Sequence, residues 1–414
     1  MKKTKSIVNI ISRLNYFDEE LARLPLPNGE IKITRGIGSG LCKRQNAENN
    51  RFWSIGDRGP NFKPSFAIEK LGLSQFKKFL GSDGVKIMPF PHIGPAISEF
   101  VLESNTITCV RTIAIKDLNS QNISGLPSAN NSGEIAVDMD GNPIEVLATG
   151  MDSEGIAAMK DGTFWIADEY CPSIVHVNSN GDIIIRLVPF GLGHLFENAN
   201  YTVCEFLPQI ASKRQFNRGF EAITASIDEK WLYVAFQSPL AHPDETAHKN
   251  SKYVRIWKIY TETGEVAAQY LYKLDKASSF TRDNELGKFK NSDIKISELV
   301  TISKDRLLVL ERGSATSKFY TLSLSKKYEL DEKHINIATT PTIEQLNGSE
   351  LKTQKIETVP KSLVFTTDDY PQIDADLEGV LLLSPNTLLV VNDNDFGVEG
   401  KTTQFWKIEL TEDL

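Results

Sequence analysis

The sequence is short of the residues that build thiolate and histidine metal sites. Its 414 residues include only four cysteines and six histidines. The cysteines stand far apart with no CxxC pair, and no HExxH or HxxxH spacing occurs, which excludes zinc fingers, the common histidine zinc motifs and a disulfide framework. We therefore expect reduced thiols, and any metal site has to be built from oxygen donors.

Long apolar runs and long basic runs are also missing. The first apolar stretch, residues 7–11, is interrupted by Asn9 and followed by Ser12 and Arg13, so it is too short for a signal peptide or for a membrane span of about 20 residues. The 46 Lys and Arg against 54 Asp and Glu give a net charge of -8, which disfavours nucleic acid as a partner. We predict a cytoplasmic monomer that binds neither nucleic acid nor membrane.

What the chain does have is a repeated pattern of a glutamate, a small or apolar pair, a turn signal and an apolar run. Four copies centre on Glu154, Glu221, Glu298 and Glu378, and a fifth copy has Ser39 in place of the glutamate. Each copy is typical of a strand, a tight turn and a second strand. The second strands end at polar residues, namely Asp57, Asp168, Glu169, Gln237, Glu311 and Asp393. Because a hairpin brings its first and last residues to the same end, we expect these side chains to gather on one face.

The copies stand too far apart for one hairpin each and far enough apart for a four-stranded sheet. This favours an all-β fold, a single β-propeller of about six blades with a central channel, over residues 31–414, with an N-terminal segment at 1–30. A blade without the signature is expected near residues 101–115. A strand near 404–408 is expected to pair with one near 31–33 to close the ring. The segment 63–95 interrupts the repeat and is a candidate lid.

Carboxylates gathered at one mouth repel one another unless protons or a cation neutralise them. Ca²⁺ takes about six to eight oxygen ligands, so we predict a calcium site at the mouth. The candidate ligands are Glu154, Glu221, Glu298, Glu378, Asp57, Asp168, Glu169, Glu311 and Asp393. The alternative is that these carboxylates accept backbone N–H groups and join blades without touching a metal.

Three arginines stand beside the acidic positions: Arg58, Arg218 and Arg312. A guanidinium group near a metal suits a phosphate or carboxylate substrate, which it can hold through two hydrogen bonds. The alternative is that each arginine only pairs with a carboxylate of the ring.

These motifs resemble, in order and over residues 36–397, the esterase-like phytase family. The matching segments are 54–60 (SIGDRGP), 152–156 (DSEGI), 164–174 (FWIADEYCPSI), 217–222 (NRGFEA), 310–312 (LER), 376–380 (DLEGV) and 392–397 (NDNDFG). The resemblance implies a β-propeller hydrolase, in a family named for cleavage of phytate. The architecture is also similar to gluconolactonase and paraoxonase propellers, in which a central calcium polarises an ester or lactone. Gln237 departs from the acidic pattern at the hairpin ends.

We therefore expect a metal-dependent hydrolase of small phosphate or carboxylate esters, in which calcium polarises the ester and a carboxylate activates water. The expected catalytic residues are Glu154, Glu221, Glu378, Arg58, Arg218 and Arg312. The competing hypothesis is a non-catalytic propeller, stabilised by its cation, that binds a small ligand or a protein.

Overall fold

The computed structural model describes residues 7–82, 84–127, 133–145, 147 and 149–414, and most of its regular structure is β-strand. The chain opens with β1 (Val8–Arg13), followed by a two-stranded ribbon of β2 (Glu20–Leu26) and β3 (Gly29–Thr34). The four cysteines are not joined in disulfides. Within the described ranges, no helix has the length and hydrophobicity that a membrane crossing requires.

The first blade is a four-stranded sheet with a long insert. Its strands are β4 (Gly40–Cys42), β5 (Arg51–Ile55), β7 (Ala96–Glu103) and β8 (Thr106–Ala114). The insert between β5 and β7 carries α1 (Pro64–Glu69), a 3-10 helix (Ser74–Phe79) and β6 (Val85–Ile87), and β6 pairs in parallel with β9 (Ile135–Val137). The expected extra blade at residues 101–115 is therefore the outer hairpin of this first blade.

Three further blades follow in chain order. The second blade has β10 (Ser153–Ala158), β11 (Phe164–Asp168), β12 (Ser173–Val177), β13 (Ile183–Pro189) and β14 (Thr202–Leu207). The third blade has β15 (Phe220–Ala225), β16 (Trp231–Phe236), β17 (Tyr253–Tyr260) and β18 (Val266–Lys273), with α2 (Glu245–Asn250) between β16 and β17. After α3 (Thr281–Leu286), the fourth blade has β19 (Lys295–Ser303), β20 (Arg306–Arg312), β21 (Ser317–Ser323) and β22 (Lys361–Thr366), with α4 (Gly348–Thr353) before β22.

The fifth blade is built from both ends of the chain. It contains β23 (Leu377–Ser384), β24 (Thr387–Asn392) and β25 (Phe405–Leu410), and β1 adds the outer strand by antiparallel pairing with β25. This pairing joins the two ends of the chain within one blade and covers the outer edge of β25. The strand expected to close the ring, near 31–33, belongs instead to the β2–β3 ribbon, so residues 8–13 of the predicted N-terminal segment are part of the propeller.

Short 3-10 helices lie in the loops between these strands. They are Gly193–Phe196, Gln209–Lys213, Ala277–Ser279, Asn291–Asp293, Lys326–Tyr328, Glu332–Ile335, Ile343–Gln345, Thr367–Asp369 and Asp395–Gly397.

The innermost strands of the five blades surround the channel. β4, β10, β15, β19 and β23 contact one another in this order, and β23 returns to β4, so the propeller fold is confirmed with five blades rather than about six. The small residue of the repeat permits this close approach. A Cβ on Gly155 would lie 2.4 Å from the Glu221 carbonyl oxygen, and one on Gly379 would lie 2.7 Å from the Leu41 side chain.

Candidate metal and substrate site

Three of the four repeat glutamates meet at the channel mouth because of a backbone irregularity that they share. Glu154, Glu221 and Glu378 each occupy the extra, unpaired position of a β-bulge at the start of an inner strand. A bulge re-aims the side chain that it carries. One carboxylate oxygen from each of the three lies within 4.8 Å of the other two, and all three residues are buried. The predicted gathering of these side chains is therefore present in the structure.

The Glu154 carboxylate is the least compensated of the three. Within the described ranges no hydrogen-bond donor or cation contacts it, whereas its neighbours are Asp57, Asp152, Glu169 and Glu221. Burial and then the charges of these neighbours raise the pKa of Glu154 well above its usual value. A cation among these oxygens would remove the repulsion.

Glu221 and Glu378 differ in their surroundings. Burial, followed by the charge of Glu169, raises the pKa of Glu221 to about 7, and its Oε2 atom is buried with no hydrogen-bond partner in the part of the chain that the structure describes. Glu378 forms an ion pair with Arg312. The cluster thus holds one carboxylate that is paired and two that are short of positive charge.

A second group of carboxylates shares Glu154 with the first. Oxygens of Asp57, Asp152 and Glu154 also lie within 4.8 Å of one another. Burial raises the pKa of Asp57 to about 6. Burial and the nearby charges of Asp395 and Asp57 raise the pKa of Asp393 well above its usual value. The acidic surface therefore extends from the glutamate cluster toward blades one and five.

Glu298, by contrast, does not join the cluster. The bulge of β19 falls at Ser297, one residue earlier, so Glu298 occupies the position that is Gly155 in β10. Its carboxylate accepts hydrogen bonds from the backbone N–H groups of Leu41 (2.9 Å) and Leu299 (3.1 Å). The side chain joins two blades, as the alternative reading of the ring allowed, and its prediction as a metal ligand does not fit this geometry.

Two more predicted ligands are engaged elsewhere. Asp168 accepts hydrogen bonds from Ser173 Oγ (2.7 Å) and Arg186 Nη2 (2.8 Å) inside the second blade. Glu311 accepts from Tyr272 of the third blade and from Lys361 of the fourth, each at 2.5 Å. The oxygens of Asp168 and Glu311 are thus engaged by these donors, so neither residue is available to the cluster.

Glu169 follows Asp168 but faces the mouth. Its Oε2 atom lies 3.3 Å from Arg58 Nη2, and its Oε1 atom is buried without a hydrogen-bond partner. It is close enough to Glu154 and Glu221 for its charge to act on both. Glu169 therefore remains a candidate for the site.

Two of the three predicted arginines are engaged by carboxylates. Arg58 Nη1 donates to both oxygens of Glu134 at 2.9 and 2.8 Å, and Arg58 Nη2 pairs with Asp152 and Glu169. Arg312 pairs with Glu378 and, at 2.7 Å, with Asp376. In both cases the pairing alternative describes the geometry better than free donors for a substrate.

Arg218 is the exception. The hydrogen bond that it donates within the described ranges goes to the Ile294 carbonyl oxygen at 3.4 Å, and no carboxylate lies within ion-pair distance of it there. Burial lowers the pKa of its guanidinium group. Together with Lys63, Lys86 and Lys295, it lines a cavity of about 380 Å³.

Sequence reasoning missed several residues of this mouth. Asp152 and Asp376 stand two positions before Glu154 and Glu378 in the same D-x-E-G motif, and each pairs with the arginine that ends the preceding blade's hairpin. That shared position was the signal available. Glu134 and Lys86 lie in segments that do not repeat. Lys295 opens the repeated inner strand β19, but the other copies have no lysine at the start of this strand, so no pattern pointed to it.

Comparisons with known proteins support the family and leave the activity open. A family model described as "Phytase-like: Esterase-like activity of phytase" matches residues 35–396. An "Uncharacterized secreted protein" of Arthroderma benhamiae is 27% identical, over 45% of this chain and 40% of that protein, so the chain spans less than half of this relative's length. The description of this relative as secreted contradicts the predicted cytoplasmic location.

Solved structures with similar chains share little sequence with this one. A catalytically inactive virginiamycin B lyase from Staphylococcus aureus is 11% identical, with 97% of this chain and 99% of that chain covered and a TM-score of 0.33. A β-propeller domain from Myceliophteria thermophila is also 11% identical, with 94% and 99% covered and a TM-score of 0.34.

Proposed function

The chain belongs to the phytase-like family, and from this membership together with the carboxylate cluster we propose that it is a metal-dependent hydrolase of small phosphate or carboxylate esters. The observation that carries the proposal is the Glu154 carboxylate, which is buried among four other carboxylates without a donor in the described ranges. Buried charges that lack a partner are costly, and they persist where a ligand compensates them. The secreted relative leads us to propose export as well.

The donor set fits a hard divalent cation. The cluster offers only carboxylate oxygens, and among the described residues the Glu221 Oε2 atom has no hydrogen-bond partner. Ca²⁺ prefers oxygen ligands and tolerates irregular geometry, so we propose Ca²⁺ held by Glu154, Glu221 and Glu378, with Asp57 and Asp152 beside it. When bound, such an ion polarises an ester oxygen and lowers the pKa of water.

The residues of the chain then have separate tasks. Glu221 can bind the cation through one carboxylate oxygen and accept a proton from water at the other, as a general base requires. Arg218 can offer its unengaged N–H groups to charge that develops on the ester. Arg58 and Arg312 are positioning residues, because they hold Asp152 and Glu378 in place. The substrate is a small ester, and the working unit is a monomer.

The direct test is hydrolysis of aryl phosphates, aryl acetates and lactones by the protein as purified, after chelation, and after Ca²⁺ is returned. We expect turnover that chelation abolishes and Ca²⁺ restores. Glu154→Gln should lower turnover by at least about tenfold, since it replaces a charged ligand of the proposed Ca²⁺ with a neutral one, and changes around a metal site typically cost about 10–100-fold in metal affinity or activity. Glu103→Gln is the matched control, because Glu103 is exposed at the far end of β7. Turnover that chelation leaves intact would contradict the proposal.

The non-catalytic propeller remains the second candidate, and one observation favours it. The ion pairs of Arg58 with Asp152 and of Arg312 with Asp376 each join adjacent blades at the mouth, as a purely structural ring would require. This candidate predicts that Glu154→Gln abolishes the rise in melting temperature that Ca²⁺ produces. It also predicts that no ester of the panel is hydrolysed.

A further inference from the structure

The cavity beside the carboxylate cluster is lined by cations that come from three separate parts of the chain. Lys63 and Lys86 belong to the insert of the first blade, Arg218 precedes β15, and Lys295 opens β19. Asn217 adds an amide group to the lining, and the volume is about 380 Å³. The insert predicted as a lid therefore contributes half of the positive charges of this cavity.

Within the described residues, Lys86 and Lys295 lack the carboxylate partners that other buried or partly buried lysines of the molecule have. Lys318, Lys361 and Lys401 each form an ion pair with a carboxylate at 3.0 Å or less. Across the ranges that the structure describes, no carboxylate lies within 4.0 Å of the Lys86 or Lys295 ammonium group, and neither donates a hydrogen bond. The acidic neighbours of Lys295, Glu221 and Asp376, act on it only over a longer distance.

Burial makes the charged forms of these side chains unfavourable. Burial and then the charges of Arg312 and Arg218 lower the pKa of Lys295 to about 8. Burial, followed by the charge of Arg58, lowers the pKa of Lys86. Lys86, Arg218 and Lys295 are partly buried around one cavity and repel one another. Among the described residues no carboxylate neutralises them, so negative charge in the cavity would lower the cost of burying them.

We infer that this cavity is an oxyanion-binding subsite, in which Lys86, Arg218 and Lys295 hold a phosphate or carboxylate group of the ligand, with Lys63 at the exposed edge. Lysine and arginine bind such groups through charge-assisted hydrogen bonds. The rim carries the apolar side chains of Phe79, Leu80 and Phe216, of which Leu80 is 56% exposed. They would contact an apolar part of the same ligand.

The subsite adds a substrate class to the proposed function. That the bound ligand is hydrolysed rests on the proposed function, whereas the binding of an anion in the cavity does not. Arg218 and Lys295 lie close to both the cavity and Glu221, so an anion in the cavity would lie next to a cation held by the glutamates. The substrate class that follows is an ester that carries an anionic group and an apolar group. A neutral ester would leave the lysines uncompensated.

The binding test uses inorganic phosphate and acetate as probes, with calorimetric titration and thermal denaturation of the full chain, before and after chelation. We expect phosphate to bind and to raise the melting temperature. Lys86→Met and Lys295→Met should each weaken phosphate binding by at least about tenfold, in line with the loss of one charge-assisted hydrogen bond. Acetate binding of similar strength would indicate a carboxylate ligand, and much weaker acetate binding would indicate a phosphate ligand.

Stability and matched variants separate binding from structure. Lys295→Met removes an unpaired buried charge, so its melting temperature without phosphate should equal or exceed that of the wild type. Lys295→Arg should keep most of the affinity, because it keeps the charge. Lys304→Met is the control, since Lys304 is exposed directly after the same strand, beside the turn to β20. The inference is overturned if the wild type does not bind phosphate, or if the two methionine variants bind it as tightly as the wild type.

The two proposals fail in different ways. If no ester is hydrolysed but the lysine variants lose phosphate, the hydrolase proposal falls and the subsite stands. If chelation abolishes hydrolysis but phosphate does not bind, the subsite falls and the hydrolase stands. If both hold, Lys295→Met should lose more kcat/KM on an anionic aryl ester than on aryl acetate.

Discussion

Two buried groups of charges in this molecule differ in one respect, which is whether opposite charges meet. In the fourth blade, Asp275 and Glu311 face Lys318 and Lys361, with ion-pair distances of 2.5 to 3.0 Å. Tyr272 and Tyr320 donate hydrogen bonds to the same carboxylates. At the channel mouth, Glu154 and Glu221 cluster on one side. Lys86 and Lys295 of the cavity lie beside them and form no ion pair with any residue that the structure describes.

The difference gives a criterion: a buried charge with an opposite charge in contact is structural, and a buried charge among like charges is a candidate for ligand binding. Although burial opposes it, hydrogen bonds from Lys318 and Tyr320 lower the pKa of Asp275. Burial raises the pKa of Glu311, but Lys361 and Tyr272 contact its carboxylate, so each carboxylate of this cluster has a cation and a hydroxyl group as partners within the protein. At the mouth, burial and like charges raise the pKa of carboxylates and lower that of lysines. Carboxylates are grouped around one space, as a metal site would require, and lysine and arginine side chains are grouped around the neighbouring cavity, as an anion site would require.

The largest effect on stability should come from breaking the complete cluster. Glu311→Ala leaves Lys361 buried without its closest partner, so we expect the free energy of unfolding to fall by about 3–5 kcal/mol. Denaturation in urea measures this change, with Glu103→Gln as the control. A loss below about 1 kcal/mol would remove the basis for calling this cluster structural.

A smaller loss should follow from Glu298→Gln. The amide offers one acceptor oxygen where the carboxylate offers two, so one of the N–H groups of Leu41 and Leu299 loses its partner. We expect the free energy of unfolding to fall by about 1–3 kcal/mol, and metal-dependent turnover to persist. Loss of calcium binding in a folded variant would return Glu298 to the ring and contradict its assignment as a link between blades.

The smallest effect is a pH dependence that should change sign with the metal. In the metal-free protein, burial raises the pKa of Glu221 to about 7 and of Asp57 to about 6, against about 4 in unfolded chains. The folded protein therefore binds more protons than the unfolded chain between roughly pH 4 and 7, and stability falls as pH rises through this window. With saturating Ca²⁺, which competes with these protons, stability should rise with pH instead.

The measurement is the melting temperature at several pH values from 5 to 8, with and without Ca²⁺. Glu221→Gln serves as the comparison, because it removes the group with the pKa of about 7. The metal-free wild type should lose a few degrees relative to this variant as pH rises. Parallel curves for the two proteins would show that Glu221 does not titrate as described.

Much of the fold could be predicted because its signals are local in sequence. A glutamate, or Ser39 in the first blade, followed by a small or apolar pair and a turn signal recurs in every blade, and hairpin geometry alone brings the ends of each hairpin to one face. The blade number was harder, since the hairpin at residues 101–115 lacks the signature whether it is an outer hairpin or a separate blade. Closure depended on β1, a short strand whose partner is almost 400 residues away in sequence.

The site depended on details finer than the pattern. The β-bulge of β19 lies one residue earlier relative to the glutamate than the bulges of β10, β15 and β23, and this keeps Glu298 out of the cluster. Glu154, Glu221 and Glu378 are each followed by glycine or alanine and Glu298 is not, which was the sequence signal that Glu298 occupies a different position. Pairing of Arg58 and Arg312 depends on aspartates of the next blade. Lys86 and Lys295 become significant only when the fold places them around one cavity.

The most direct test of the account is a crystal structure of the protein grown with Ca²⁺, and then with Mn²⁺ for its anomalous signal. The account predicts a cation peak bounded by Glu154, Glu221 and Glu378, with oxygen distances of about 2.3–2.6 Å for Ca²⁺. A mouth without a cation, in which Arg218 or Lys295 turns to pair with Glu221 instead, would contradict it.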